Sequence, residues 1–66
     1  MKLIINGEEV IVENKNTLQQ IMENLEIIDK VMACAVNMNI VKKEQWTIFI
    51  PEENDKIELL QFVGGG

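Results

Sequence analysis

Near its start the chain reads Lys2-Leu3-Ile4-Ile5-Asn6-Gly7-Glu8-Glu9-Val10-Ile11-Val12-Glu13, in which two runs of strand-forming residues flank an Asn-Gly pair. Such a pair is the strongest short-range signal of a β-hairpin, because a type I′ turn needs positive φ at both of its central positions. In the second run, Val10 and Val12 alternate with their neighbours, as in a strand that has one face on a core. We therefore predict a hairpin whose strands cover residues 2–6 and 8–13.

A helix is predicted to follow this hairpin. Thr17 and Gln20 stand three residues apart, which is the spacing of a capping box at the start of a helix. Apolar residues then recur at the intervals i, i+3, i+4 and i+7 and form one stripe about two turns long. The residues of this stripe are Leu18, Ile21, Met22 and Leu25.

The middle of the chain contains short extended segments separated by turn formers. Residues 32–36 have the small, apolar composition of a buried strand. Residues 37–39 supply turn formers, and residues 40–41 resume an extended course. Residues 42–46 are polar up to the tryptophan and predict a short helical turn.

The remaining segments complete one sheet. The run Thr47–Ile50 is apolar and β-branched, as in a strand, and it stops at Pro51. A final strand is predicted over residues 57–63. A hairpin, one helix and further strands together predict an α+β fold, a mixed sheet packed over one main helix in the β-grasp (ubiquitin-like) arrangement. We expect a β-grasp domain over residues 1–63 and a flexible C-terminal glycine tail over residues 64–66.

Composition and charge limit the classes of function. The chain has 66 residues, 47% hydrophobic and 26% charged, which suits one small globular domain and does not suit disorder. Its net charge of −5 and scattered lysines argue against nucleic acid and favour a partner with a basic surface. The apolar runs are too short for a bilayer, no signal peptide follows Met1, and Cys34 is the only cysteine. These features predict a cytoplasmic protein without membrane association.

The chain ends on Gly64-Gly65-Gly66, directly after the final strand. Three residues without side chains offer a partner only backbone and the terminal α-carboxylate of Gly66. Because glycine adopts both signs of φ and allows close approach of backbone, such a tail can enter a narrow channel. A frayed end or a linker is the alternative interpretation of the same residues.

The final strand has two different faces. Alternation with a period of two places Ile57 and Leu59 on one face and Glu58, Leu60 and Phe62 on the other. If the first face meets the helix, the second exposes apolar side chains beside the glycine tail, and an exposed apolar patch on a small domain indicates a partner. We therefore predict that Leu60 and Phe62 lie in a partner interface, with simple edge packing as the alternative.

The chain contains few other candidates for chemistry. Cys34 alternates with small apolar residues, so a buried core position is favoured over a reactive thiol. Glu52, Glu53 and Asp55 lack the spacing of a metal-ligand set and are interpreted as a solvated loop. The chain has no histidine and therefore no imidazole for acid–base catalysis or metal ligation near neutral pH. We predict no catalytic residue and no metal site.

Taken together, these motifs resemble the ThiS family, the sulfur carriers of thiamin biosynthesis. The resemblance covers the whole chain, and its most specific piece is the segment Ile40-Val41-Lys42-Lys43-Glu44-Gln45-Trp46. The other pieces are Asn6-Gly7, the helix led by Thr17, the strand 33–37, the final strand led by Asp55 and the terminal glycines. Two departures from the family pattern are Asn54, where a glycine is usual, and Gly64, which extends the usual glycine pair to three.

The resemblance implies a specific chemistry. In ThiS-like carriers a ThiF-like adenylyltransferase uses ATP to adenylate the terminal carboxylate, here that of Gly66, and sulfur from a donor protein replaces AMP. The resulting thiocarboxylate passes its sulfur to the thiazole synthase ThiG. The resemblance also implies that Gly64 and Gly65 occupy the partner's channel and that ATP is used by the activating partner, with no cofactor bound permanently to the carrier.

Three alternatives remain at this point. The diglycine ending is shared with the sulfur carrier of molybdopterin synthesis, the small subunit of molybdopterin synthase, and with ubiquitin-like modifiers that are attached to lysines. A third class is an interaction module without any role in catalysis, in which the glycines are only a linker.

Overall fold

The computed structural model describes residues 1–62 of the chain, and these residues form one five-stranded sheet with one α-helix. The strands are β1 (Lys2–Ile5), β2 (Glu8–Ile11), β3 (Val31–Val36), β4 (Asn39–Ile40) and β5 (Lys56–Gln61), and the helix is α1 (Leu18–Asn24). Two short 3₁₀ helices cover Ile28–Lys30 and Lys43–Gln45. The strand order is β2-β1-β5-β3-β4, with β1 and β5 parallel and the other neighbours antiparallel. The predicted mixed sheet with one main helix is confirmed.

The first hairpin forms at the predicted Asn-Gly pair. Asn6 has φ 51° and Gly7 has φ 83°, so both central residues adopt the left-handed conformation that a type I′ turn requires. The turn joins Ile5 to Glu8, which are paired across the two strands. Strand β2 ends at Ile11, two residues earlier than predicted.

Helix α1 begins where the capping box predicts. The Thr17 hydroxyl accepts a hydrogen bond from the Gln20 amide at 3.2 Å, and the Gln20 side chain accepts from the Thr17 amide at 2.9 Å. Leu18, Ile21 and Met22 are buried against the sheet. Leu25 is 38% exposed, so its predicted place in the buried stripe is wrong: α1 ends at Asn24, and Leu25 is the C-cap, one residue past the last helical position.

Residues 46–49 differ from the sequence-based expectation because they serve the start of the helix. The carbonyl of Trp46 accepts from the Gln19 amide at 3.0 Å, and that of Phe49 accepts from the Leu18 amide at 2.9 Å. Two of the amides that a helix start leaves without intrahelical partners are satisfied in this way. The run Thr47–Ile50 is therefore a turn rather than the predicted strand, whereas the predicted helical turn before it is confirmed by the 3₁₀ helix 43–45.

The core lies between α1 and one face of the sheet. Trp46 is its largest fully buried side chain, and the indole N–H donates to the Val41 carbonyl at 3.0 Å, which leaves no polar atom of the ring unpaired. The cluster also contains buried residues from three strands, the helix and an adjoining loop: Leu3, Ile5, Leu18, Ile21, Met22, Val31, Cys34, Val36, Val41, Ile57 and Leu59. Within residues 1–62, no helix has the length and apolar character needed to cross a membrane.

The turn geometry at Gly7 generates the first prediction. An added Cβ at Gly7 would meet no heavy atom within 4 Å, so Gly7→Ala acts through backbone conformation alone. A left-handed non-glycine residue costs about 1–2 kcal/mol. For a domain of this size about 1 kcal/mol lowers the thermal midpoint by roughly 4–8 °C, which circular dichroism can follow. Gly7→Asn is the control and should lose less, because asparagine tolerates positive φ. An unchanged midpoint in Gly7→Ala would contradict the turn assignment.

Candidate functional site

Strand β5 determines where the chain leaves the sheet. It is the last strand in sequence and the central strand in space, between β1 and β3. The amide of Phe62 donates to the Lys30 carbonyl at 2.6 Å, so the last described residue is held beside the start of β3. The predicted reactive residue Gly66 and the predicted channel residues Gly64 and Gly65 lie outside the described residues.

The two faces of β5 are as predicted. Ile57 and Leu59 are 1% and 8% exposed and belong to the core. Leu60 and Phe62 are 61% and 62% exposed on the opposite side, the side of the sheet that the helix does not cover. Two large apolar side chains are therefore exposed to solvent at the end of the described chain, as in a surface that a partner covers.

The open face of the sheet continues this apolar surface onto β3 and β4. Ala33 stands opposite Leu60, and Ala35 stands opposite Glu58 on one side and Ile40 on the other. Residues directly opposite each other in adjacent strands project from the same face. Ile40 is 73% exposed because β4 is a two-residue strand at the edge of the sheet. The sequence identified Ile40 as part of an extended segment and of the family-like stretch 40–46, but not as a neighbour of Ala35, since that contact depends on a register between strands.

Asn6 has a second role that sequence reasoning missed. Its backbone amide donates to the Ile57 carbonyl at 2.9 Å, and its side-chain Oδ1 accepts from the Leu59 amide at 2.8 Å. The paired residues of β1 and β5 end at Ile5 and Ile57, so the side chain supplies the acceptor that a longer β1 would have supplied from its backbone. Asn6 thereby holds the half of β5 that presents Leu60. The Asn-Gly turn signal gave the position of Asn6 but not this contact.

The remaining candidates have structural roles. Cys34 is 1% exposed, and burial raises the pKa of its thiol to about 11, so the thiol stays protonated and inaccessible near neutral pH. Asp55 organises its own loop: its carboxylate accepts from the Glu52 amide at 2.8 Å and from the Asn37 side-chain amide at 3.0 Å. Among residues 1–62, no three His, Cys, Asp or Glu side chains are grouped so that they could hold a metal ion.

Comparisons with known proteins agree with this arrangement. A sequence model of the ThiS family matches residues 2–66. The sulfur carrier protein ThiS of Escherichia coli is 30% identical over 66 residues, and the alignment covers all of both chains. A thiazole synthase of Paramagnetospirillum magneticum is 33% identical over 66 residues, and the chain spans 20% of the length of that protein. The crystal structure of the thiamine biosynthesis protein ThiS from Geobacter metallireducens covers all of both chains at 23% identity with a TM-score of 0.79, which confirms the predicted fold.

The contact between Asn6 and Leu59 generates the second prediction. Asn6→Gly keeps the left-handed turn but removes the acceptor, whereas Asn6→Asp keeps both. We expect Asn6→Gly to lose about 1 kcal/mol of unfolding free energy and to speed hydrogen exchange at the Leu59 amide. Asn6→Asp should remain close to the wild type in both measurements. Equal protection of the Leu59 amide in wild type and Asn6→Gly, observed by NMR, would show that the contact does not hold β5.

Proposed function

Because the chain belongs to the ThiS family, we propose that it is a sulfur carrier of thiamin biosynthesis and that the α-carboxylate of Gly66 carries the sulfur. The observation that carries the proposal is the family match over residues 2–66 together with full-length similarity to a sulfur carrier. Of the three pathways that share a diglycine ending, this match favours the thiamin branch over molybdopterin synthesis and over protein modification.

The chemistry requires activation of the carboxylate before sulfur can be attached. A free carboxylate resists nucleophilic attack, whereas an acyl-adenylate has AMP as a good leaving group. We propose that a ThiF-like adenylyltransferase joins Gly66 to AMP from ATP with release of pyrophosphate, and that sulfur from a donor protein then displaces AMP. The thiocarboxylate formed in this way would deliver its sulfur to thiazole synthase. We expect these steps in the cytoplasm, where ATP is supplied.

We further propose that the chain is a protein co-substrate and that its partners perform all catalysis. The sequence has no histidine, and the thiol of Cys34 is buried and protonated. The carrier would contribute a carboxylate, a narrow tail and a surface by which it is recognised. ATP would be bound and consumed by the activating partner, with no cofactor held permanently by the carrier.

Thiazole synthase is the second proposed partner. A protein named thiazole synthase contains a segment that matches this entire chain over a fifth of its own length. A carrier-like segment and a thiazole synthase that are joined in one polypeptide meet at high effective concentration. Such a connection suits a sulfur donor and the enzyme that accepts its sulfur. We propose that the carrier domain described here delivers its sulfur to a thiazole synthase.

Leu60 and Phe62 are proposed as the contact surface for the activating enzyme. Both are more than half exposed, and β5 directs them beside the point where the chain leaves the sheet. A partner that encloses residues 64–66 must also approach this surface. Burial of the two side chains would then add binding energy at the cost of ordering the side chains alone, because the backbone up to Phe62 is already held in the sheet.

The exposure of Phe62 generates the third prediction. Phe62→Asp should leave the circular dichroism spectrum and thermal midpoint nearly unchanged, because the side chain is outside the core. Binding to the activating enzyme, measured by titration calorimetry, should weaken by at least roughly 2 kcal/mol if Phe62 is a hot spot. Ile48→Asp is the matched control, since Ile48 is 72% exposed in the turn after the second 3₁₀ helix. Equal affinity of the two variants would contradict the proposed interface.

The role of Gly66 generates the fourth prediction. ATP–pyrophosphate exchange with the cognate activating enzyme should vanish when the terminal carboxylate is converted to an amide, because the attacking oxygen is removed. Gly65→Ala should slow exchange, since a methyl group obstructs a narrow channel and disfavours positive φ, and Gly64→Ala should be better tolerated because it lies nearer the domain. Exchange at the wild-type rate with the amidated chain would show that Gly66 is not activated.

A further inference from the structure

The open face of the sheet contains a shallow depression of about 390 Å³. Ala33 and Ala35 lie between larger neighbours there, because they stand opposite Leu60 and Glu58 on β5. Ile40 borders the depression on the β4 side and Leu60 borders it on the β5 side, and both are mostly exposed. Because the two alanine side chains are small and their neighbours are larger, they leave space that a side chain from another protein can fill.

Glu58 gives this depression its charge. Among residues 1–62, it is the one charged residue that lines the depression. Within residues 1–62, the ion pair that forms is Lys2 with Glu9 at 3.6 Å, and no lysine lies within ion-pair distance of Glu58. Lys56 is on the same face two residues earlier and lines a neighbouring depression together with Glu58, but the two side chains form no ion pair. The surface thus combines an apolar floor with one unpaired carboxylate at its edge.

Such a surface fits a side chain with a long apolar stem and a cationic end. Arginine suits it better than lysine, because the guanidinium is more weakly hydrated and binds a carboxylate through two parallel hydrogen bonds. The net charge of −5 also favours approach by a basic partner surface. In the proposed reaction order the carrier must be loaded before it can donate, so the activating enzyme is the first partner to bind.

We infer that an arginine of the activating enzyme occupies this depression, with its stem on Ala33 and Ala35 and its guanidinium paired with Glu58. The inference rests on the proposed function, because it assigns a recognition residue to the same partner. Glu58 is then a specificity-determining residue rather than a solvated charge. It would recognise the partner by charge, while Leu60 contributes apolar contact at the border of the same depression.

The first test compares the affinity of the activating enzyme for wild type, Glu58→Gln and Glu13→Gln. Glu13 is exposed and follows β2, which forms the opposite edge of the sheet from β4. The Glu13→Gln variant therefore removes the same charge as Glu58→Gln, but away from the depression. We expect Glu58→Gln to weaken binding by at least about thirtyfold, as for one member of a desolvated charge pair. Glu13→Gln should change it less than about twofold, as for a charge outside the contact. Added salt should weaken the wild type more than Glu58→Gln.

A second variant tests the depression itself. Ala35→Val should keep the fold, because a β-branched residue is favoured in a strand, and its added methyl groups would fill the floor. We expect weaker binding with an unchanged circular dichroism spectrum. Arginine-to-lysine substitutions over the basic surface of the enzyme, combined with Glu58→Gln in double-mutant cycles, should identify one arginine whose effect depends on Glu58.

The outcomes separate this assignment from the proposed function. If wild type supports pyrophosphate exchange but Glu58→Gln and Glu13→Gln bind with equal affinity, the assignment is wrong and the sulfur-carrier function stands. The assignment is also wrong if Glu58→Gln weakens binding to thiazole synthase and leaves the activating enzyme unaffected. If wild type neither binds the activating enzyme nor supports exchange, the proposed function fails, and the assignment of Glu58 fails with it.

Discussion

The parallel pairing of β1 with β5 is the constraint on which the other features depend. It joins the first strand of the chain to the last through the Ile4 amide and the Asp55 carbonyl at 3.0 Å and through the Asn6 amide and the Ile57 carbonyl. Asn6 Oδ1 then extends the pairing to Leu59, across 53 residues of sequence. Because β5 is placed in the centre of the sheet, it packs against the core with one face and meets solvent with the other.

This arrangement lets a very small domain separate stability from recognition. The inward residues of β5 complete a core of twelve buried apolar residues that includes Trp46, and the outward residues Leu60 and Phe62 contribute little to that core. Substitutions on the outer face should therefore leave the fold intact, which allows the proposed partner surface to be tested in a folded domain. A domain near the lower size limit for a single core gains from this division, because every buried side chain is needed for stability.

The parts of the fold that follow local rules could be predicted from the sequence. The Asn-Gly turn, the capping box of Thr17 and Gln20 and the alternating faces of β5 each depend on residues a few positions apart. Residues 47–50 could not be predicted, because their composition favours a strand while the carbonyl of Phe49, like that of Trp46 before it, is used by the start of α1. The prediction for Leu25 was wrong because the apolar periodicity continues to this residue, whereas α1 ends one residue before it.

Parts of the candidate site could likewise be predicted from the sequence, and other parts could not. The exposure of Leu60 and Phe62 follows from alternation, but the depression beside them depends on the register of β3, β4 and β5. The bond from Leu59 to Asn6 also needs two distant segments to meet. The chemistry proposed for Gly66 was predicted from the family resemblance and the glycine ending. No rule of local structure predicts such chemistry.

The central claim is that sulfur is carried on the terminal carboxyl group. The most direct test is high-resolution mass spectrometry of the C-terminal peptide from protein isolated from its native cell during thiamin synthesis. A carrier should show one sulfur in place of one oxygen at the α-carboxylate of Gly66, with Cys34 unmodified. Sulfur added to Cys34, or a Gly66 carboxylate linked to lysines of other proteins, would contradict the account.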